Sequence, residues 1–331
     1  IVKVIAEVGV NHNGSYVLAK KYIRECKKIG VDFVKFQVAV PSEVVTKYAK
    51  KADYQKKFKD DNNQLKMLKK LHLSLNNYKK LIDYAISINI KILFSFFDRK
   101  SLNFLITNKQ KYLKIPSGEI NNFILLKQLR NYSGFLFIST GMSNLNEISS
   151  LLKFLKKNRI KKKQIILMHC NSEYPSPLKD INLNVLESFK KKFRVKVGYS
   201  DHSIGEIVPI CSVVKGAEYI EKHITFNRFE IGPDHKASME FKDFKSMILK
   251  IRKTFLCLGS SIKLVTKSEK KNRKLVRKSI VALKHIKKGE IFSYSNLSAK
   301  RPGDGIPPNK ISMLLGKKSR KSYNTDEQIK K

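Results

Sequence analysis

The chain has 331 residues, with 68 Lys and Arg against 27 Asp and Glu and a formal net charge of +41. Its 42% hydrophobic and 10% aromatic content excludes global disorder, and at this length no disulfide or metal staple is needed to hold a core. The charge invites a nucleic-acid reading, but 57 of the cations are Lys and only 11 are Arg, spread from Lys3 to Lys331. Arg supplies the bidentate fork that base and phosphate recognition favours, so the expectation is a solvated lysine coat and no nucleic-acid partner.

Taken in chain order, short apolar runs alternate with amphipathic helical stretches. Val2–Val8 reads as a strand, without the basic start and apolar stretch of a signal peptide. The absence of an initiator Met implies a few residues upstream. Glu7, Asn11, His12 and Asn13 close this strand, and a helix follows at Tyr16–Ile29. The second strand, Val31–Gln37, carries Lys35 and Gln37 and leads into a lysine-rich insertion at about Pro41–Leu71. A helix at Leu75–Ile88 precedes the third strand, Lys91–Phe97, which offers Ser95 and Asp98. A helix is expected at Ser101–Asn108, then a fourth strand, Tyr112–Pro116, with Lys114, Ser117 and Glu119 at its end. A helix at Asn122–Asn131, a fifth strand at Phe135–Ser139 and a helix at Leu145–Lys157 come next.

The sixth strand, Gln164–His169, is followed by Asn171, Ser172 and Tyr174, and by a helix at Asn182–Lys192. The seventh, Val195–Tyr199, leads to Ser200, Asp201 and His202, and to a helix at Ile204–Val214. The eighth, Ala217–Thr225, contains Glu221, Lys222 and His223, with Asp234 and His235 beyond it, and a helix closes the series at Phe241–Leu258. Eight strand–helix units in about 260 residues predict a (β/α)8 TIM barrel of class α/β. A doubly wound sheet is the alternative, weakened by the lack of a Gly-x-Gly-x-x-Gly after the first strand.

The pattern then changes. Residues 1–260 are assigned to the barrel, 261–278 to a linker and 279–331 to a small domain of short strands and turns. Cys26, Cys170, Cys211 and Cys257 form no CxxC pair, so neither a disulfide framework nor a structural zinc is expected and a reducing cytoplasm is the simplest setting. Apolar runs such as Ile207–Val214 are too short to span a bilayer, and no membrane partner is expected.

In such a barrel the chemistry sits at the carboxyl ends of the strands. Five of the seven histidines fall there, all but His72 and His285. Lys35 and Lys114 lie on apolar strands, where an ammonium needs an anion or carboxylate to meet it. With Ser95, Ser117, Ser139 and Ser200 they make a phosphate cradle. His202 and His223, from adjacent strands, suit a divalent transition metal or magnesium, and Glu7 and Glu119 suit general acid–base work. Each residue alone also has a plain reading as a loop hydrogen-bonder or helix cap; the weight comes from their convergence. An aldolase using Lys114 as a Schiff base is the alternative enzyme reading.

Nine segments, read together, resemble the sialic acid synthase (N-acetylneuraminate synthase) family. They are Ala6-Glu-Val-Gly-Val-Asn-His-Asn-Gly14, Val34-Lys-Phe-Gln37, Lys114-Ile-Pro-Ser-Gly-Glu119, Ser139-Thr-Gly-Met142, His169-Cys-Asn-Ser-Glu-Tyr-Pro-Ser-Pro177, Gly198-Tyr-Ser-Asp-His202, Glu221-Lys-His-Ile-Thr225, Gly232-Pro-Asp-His235 and Lys300-Arg-Pro-Gly303. The resemblance implies a TIM barrel followed by an antifreeze-like (SAF) domain, and a transferase that condenses phosphoenolpyruvate with an N-acetylated hexosamine. It implies that Lys35, Ser95, Lys114, Ser117, Ser139 and Ser200 hold phosphoenolpyruvate. A divalent metal, Mn or Mg, would sit on His202 and His223. The sugar would meet Glu7, Gln37, Glu119, Tyr174 and Asp234, and Arg301 would reach sugar bound in the partner of a domain-swapped homodimer.

His169–Pro175 and Ala52-Asp-Tyr-Gln55 point within the family to N-acetylmannosamine as acceptor, with legionaminate or pseudaminate synthesis from a diacetamido-deoxyhexose as the alternative. Two departures stand out. Phe96 occupies a place where relatives commonly carry proline, and Asn227 one where an Asp-Lys pair is usual. Neither removes a proposed ligand.

Overall fold

The computed structural model describes residues 2–46, 48–49 and 63–330. It divides into two compact units, Ile1–Gly259 and Ser260–Lys331. The first is a closed barrel of eight parallel strands: β1 (Lys3–Gly9), β2 (Phe33–Val38), β3 (Lys91–Phe96), β4 (Tyr112–Ile115), β5 (Phe135–Ser139), β6 (Ile165–His169), β7 (Lys196–Asp201) and β8 (Tyr219–Thr225). They pair in chain order, and β1 closes on β8 with Glu7 opposite His223. A two-residue strand, β9 (Met239–Glu240), adds to the end of β8.

The helices are α1 (Tyr16–Ile29), α2 (Pro41–Val44), α3 (Gln64–Leu71), α4 (Leu75–Ser87), α5 (Arg99–Thr107), α6 (Phe123–Leu126), α7 (Leu145–Lys157), α8 (Val185–Phe193), α9 (Ile207–Val214) and α10 (Phe241–Leu258). Several start where a short polar side chain can take an orphan amide. Ser15, Ser74, Asp98 and Asn144 each accept from the first turn of the helix that follows. The expected helix at Asn122–Asn131 is instead α6 followed by a 3₁₀ turn at Lys127–Leu129. The tighter winding suits Leu126 and Leu129, three apart and both fully buried. The Ala52–Gln55 stretch lies outside the described residues. Further along the same insertion, α3 forms on an Asn63 cap.

Strand side chains alternate faces, so each barrel strand feeds two separate cores. The outward set, including Val34, Phe94, Ile138 and Tyr199, packs under the helices. Phe96 belongs to this outward set and is fully buried there. The inward set fills the barrel with Ile5, Phe33, Leu93, Phe137, Ile166 and Met168. β7 contributes Gly198 to this layer. A Cβ there would press 2.6 Å from the Tyr219 carbonyl and collide with Met168 Sδ. Glycine is therefore required by space, not by dihedral angle.

In the second unit, β10 (Ser279–Ala282) and β11 (Leu297–Lys300) pair antiparallel, and Ile280, Ile286, Phe292, Leu297, Tyr323 and Ile329 share a small core. The segment expected to be a plain linker carries a helix, α11 (Glu269–Val276), with no buried side chain. Among the described residues, no helix is long and apolar enough to cross a membrane.

Candidate active site

Moving two residues toward the carboxyl end from the apolar layer changes the chemistry. Ile5 gives way to Glu7, Phe33 to Lys35, Leu93 to Ser95, Tyr112 to Lys114, Phe137 to Ser139, and Tyr219 to Glu221. The period of two thus places a polar layer on an apolar floor. This layer lines a cavity of about 390 Å³. Of the sequence-predicted residues, Glu7, Lys35, Gln37, Ser95, Lys114 and Ser117 line it. So do Ser139, Tyr174, Ser200, His202, His223 and Asp234.

One residue expected in this chain's own site does not line it. Glu119 sits in the 3₁₀ turn Ser117–Glu119, half-buried, with Oε2 accepting from Asn122 Nδ2 at 2.7 Å. Arg301 belongs to the second unit, where its Nε donates to the Val276 carbonyl at 3.0 Å. His72, which was given no role and lies on no strand end, lines the cavity as well. The insertion folds back as α3 and presents it there.

The cavity floor is an ionic knot. Lys35 Nζ lies 2.9 Å from Glu7 Oε1 and 3.2 Å from Glu221 Oε1, and Lys114 Nζ lies 2.6 Å from the same Glu221 oxygen. Ser200 Oγ donates to it at 3.1 Å. Gln37 Nε2 donates to Glu7 Oε1 at 3.1 Å. All four charged groups are at most 4% exposed. Burial opposes the ionisation of Glu221, but Lys114 and Lys35 outweigh it and hold the carboxyl well below the usual range. Burial wins at Glu7, whose pKa is raised against the pull of Lys35, and at Lys114, whose pKa is lowered despite Glu221. Nothing in the spacing of the Glu221–Thr225 motif assigns Glu221 a role, and the structure makes it the hub.

The knot is incompletely satisfied. Glu7 Oε2, Glu221 Oε2 and Ser95 Oγ are buried without a hydrogen-bond partner among the described residues. Unpaired buried polar atoms are costly, so their concentration on one cavity floor marks a place where a polar ligand completes the network. Ser117 Oγ is pinned by the Gly141 amide at 3.1 Å.

The histidines divide by task. His169 Nε2 donates to the Ile181 carbonyl at 2.8 Å and His235 Nδ1 meets Thr225 Oγ1 at 2.7 Å, so both hold loops. His202 and His223 face each other with ring centroids 5.7 Å apart. His202 Nδ1 donates to the Asn171 carbonyl at 2.6 Å, which leaves Nε2 as a lone-pair donor, here receiving the Tyr174 hydroxyl at 2.9 Å. His223 Nδ1 has no hydrogen-bond partner among the described residues and lies 3.9 Å from Asp234 Oδ2. Burial keeps both imidazoles neutral, pushing His202 down to about 4 and His223 well below its ordinary value. Burial also pushes Asp234 up to about 7.

Among the described residues, no group of three or more His, Cys, Asp or Glu is arranged to hold a metal. The fit is to a cation that takes two neutral nitrogens from the chain and its other ligands from water and substrate. The carbonyl-anchored Nδ1–H of His202 is the outer support such a ligand needs.

Comparison with known proteins follows the same division into two units. The NeuB family matches residues 22–263 and the SAF domain matches residues 277–331. An N,N'-diacetyllegionaminic acid synthase of Campylobacter jejuni is 45% identical over 99% of this chain and 98% of its own. One of Legionella pneumophila is 40% identical over 97% of this chain and 90% of its own. The crystal structure of an N-acetylneuraminic acid (sialic acid) synthetase from Leptospira borgpetersenii superposes with a TM-score of 0.71 at 29% identity, over 82% of this chain and 90% of that one.

Proposed function

The chain belongs to the NeuB family, and from that premise we propose that it makes a legionaminate-type nonulosonate, condensing phosphoenolpyruvate with a diacetamido-deoxyhexose and water and releasing phosphate. It is a carbon–carbon bond-forming transferase that uses phosphoenolpyruvate. The observation that carries the choice of acceptor is the 45% and 40% identity to two diacetyllegionaminic acid synthases across nearly the whole chain, against 29% to the sialic acid synthetase. The first expectation, N-acetylmannosamine, leaned partly on Ala52–Gln55, which lies outside the described residues. It gives way to the alternative weighed beside it.

The ionic floor supports the donor half of the reaction. Lys35 and Lys114, with the hydroxyls of Ser95, Ser117, Ser139 and Ser200, take the phosphate and carboxylate. C3 of phosphoenolpyruvate attacks the aldehyde carbon of the open-chain sugar: the enol π pair forms the C–C bond, and the carbonyl π pair moves onto the aldehyde oxygen, which takes up a proton. Cationic character develops at C2, and the anionic Glu221 beneath the lysines offsets it. Water adds at C2 and gives up a proton; the bond from C2 to the phosphate oxygen then breaks, inorganic phosphate leaves with that electron pair, and the C2 hydroxyl loses its proton to become the ketone. Glu7, with a raised pKa and an unpartnered Oε2, can carry a proton to or from the reacting oxygens. That task was expected to be shared with Glu119, which does not line the cavity.

A divalent ion, Mn or Mg, held by His202 and His223 would supply Lewis-acid polarisation of the aldehyde. Gln37, Tyr174 and Asp234 bind the sugar. Arg301 completes the acetamido site from the other copy of a cytoplasmic, domain-swapped homodimer.

The test is phosphate release from phosphoenolpyruvate with Mn, comparing the diacetamido-deoxyhexose with N-acetylmannosamine. Faster turnover of the diacetamido sugar is expected, and no phosphate with either acceptor would refute the reading.

A further inference from the structure

One wall of the cavity differs from the rest. Helix α3 contributes Met67, Leu68 and Leu71, and the residue after its last turn is His72. No charged side chain of α3 lines the cavity. The wall is held in place by the loop after β1. Gly14, at φ +72°, lies so close under the Lys70 carbonyl that a Cβ would overlap it. The His72 ring interacts with the Gln37 backbone, and its Nδ1 is buried with no hydrogen-bond partner among the described residues. With Nδ1 unpartnered, the tautomer that carries the ring proton on Nε2 leaves it a vacant acceptor. Burial lowers the ring's pKa to about 4, so this acceptor persists at neutral pH.

Phosphoenolpyruvate does not suit such a wall, because its charged ends gain nothing from Met and Leu and belong on the lysine floor. What fits is a neutral group with an apolar end and one N–H donor. We infer that the α3 wall recognises the second acetamido group of the acceptor: the methyl lies on Met67, Leu68 and Leu71, and the amide N–H donates to His72 Nδ1. The inference rests on the diacetamido reading above and goes beyond it by naming the element that selects the sugar. His72 is a recognition residue; the reacting atoms lie over β1, β2, β4 and β8.

The experiment compares three acceptors, all at saturating phosphoenolpyruvate and Mn: the diacetamido-deoxyhexose, its monoacetamido deoxyhexose counterpart and N-acetylmannosamine. His72→Phe removes the acceptor nitrogen and keeps a ring; His72→Asn keeps an acceptor oxygen close to the position of Nδ1. For H72F, the preference for the diacetamido over the monoacetamido deoxyhexose should fall about tenfold or more, mainly through acceptor KM, with the KM for phosphoenolpyruvate little changed. H72N should restore most of that preference. The monoacetamido deoxyhexose separates the acetamido contribution from that of the deoxy position. If wild type prefers the diacetamido sugar and H72F keeps the same preference, this inference is wrong and the function stands. If wild type prefers N-acetylmannosamine, the functional reading falls and this inference falls with it. If H72F loses all turnover, thermal stabilisation by phosphoenolpyruvate shows whether the fold survives. In that case, direct binding of the two deoxyhexoses to H72N and wild type decides: equal discrimination supports the inference, and loss of discrimination by H72N contradicts it.

Discussion

Oε1 of Glu221 meets Lys35, Lys114 and Ser200, while Oε2 meets nothing among the described residues. Removing that charge leaves two buried ammonium groups without their shared counter-ion. Glu221→Gln should therefore destabilise the fold by about 3 kcal/mol and lower kcat/KM for phosphoenolpyruvate about 100-fold. Phosphoenolpyruvate should raise the Tm of the variant more than that of wild type, because the ligand's charge replaces the lost one. Equal Tm shifts in a thermal melt would count against the hub. Its partners explain why sequence spacing could not assign it a role: Lys35 is 186 residues away and Lys114 is 107.

His12 illustrates a different cost. It is fully buried, its Nδ1 accepts from the Gly14 amide at 3.2 Å, and burial holds its pKa at about 3. The unfolded imidazole titrates near 6.5. A depressed folded-state pKa gives stability that is present above 6.5 and lost as pH falls toward 3. At pH 5 the loss from His12 alone is about 2 kcal/mol. His12→Asn keeps an acceptor for Gly14 and removes the titration, so its Tm should fall less than that of wild type between pH 7 and pH 5. Parallel pH profiles would contradict this.

At the scale of elements, the strands were legible because their β-branched runs are short and bounded, and α1, α7 and α10 because their apolar faces repeat over three or more turns. The polar layer was legible because the period of two carries an apolar inward residue to a polar one at the strand end. The wall made by α3 was not. Its residues read as a lysine-rich insertion, and no local pattern reveals that the chain turns back over the barrel mouth. Gly198 gives a test of the barrel interior itself. Gly198→Ala keeps the strand dihedrals but puts a methyl against Met168 and the Tyr219 carbonyl. A cost of about 2–3 kcal/mol and a Tm lower by about 5–10 °C are expected. An unchanged Tm would mean that the layer has room that the packing denies.

Over the whole molecule, the +41 separates into chemistry and coat. Lys35 and Lys114 are buried on the cavity floor, and most of the other lysines among the described residues are exposed. Such a coat draws an anionic substrate weakly and is screened by salt. The KM for phosphoenolpyruvate should therefore rise about two- to fivefold between 50 and 500 mM NaCl. Duplex DNA should not be retained at 150 mM; tight binding with a steep salt slope would reinstate the nucleic-acid reading. The division of the chain into two units was readable from the change in pattern after Leu258, but α11 was not, since it buries no side chain and its residues are mostly Lys, Glu and Asn. The acceptor is what defines the reaction. Its most direct measurement is a single reaction holding phosphoenolpyruvate, Mn and equal amounts of the diacetamido-deoxyhexose and N-acetylmannosamine, with the products weighed by mass spectrometry. The diacetylated nonulosonate is expected in large excess; N-acetylneuraminate as the main product would overturn the acceptor assignment.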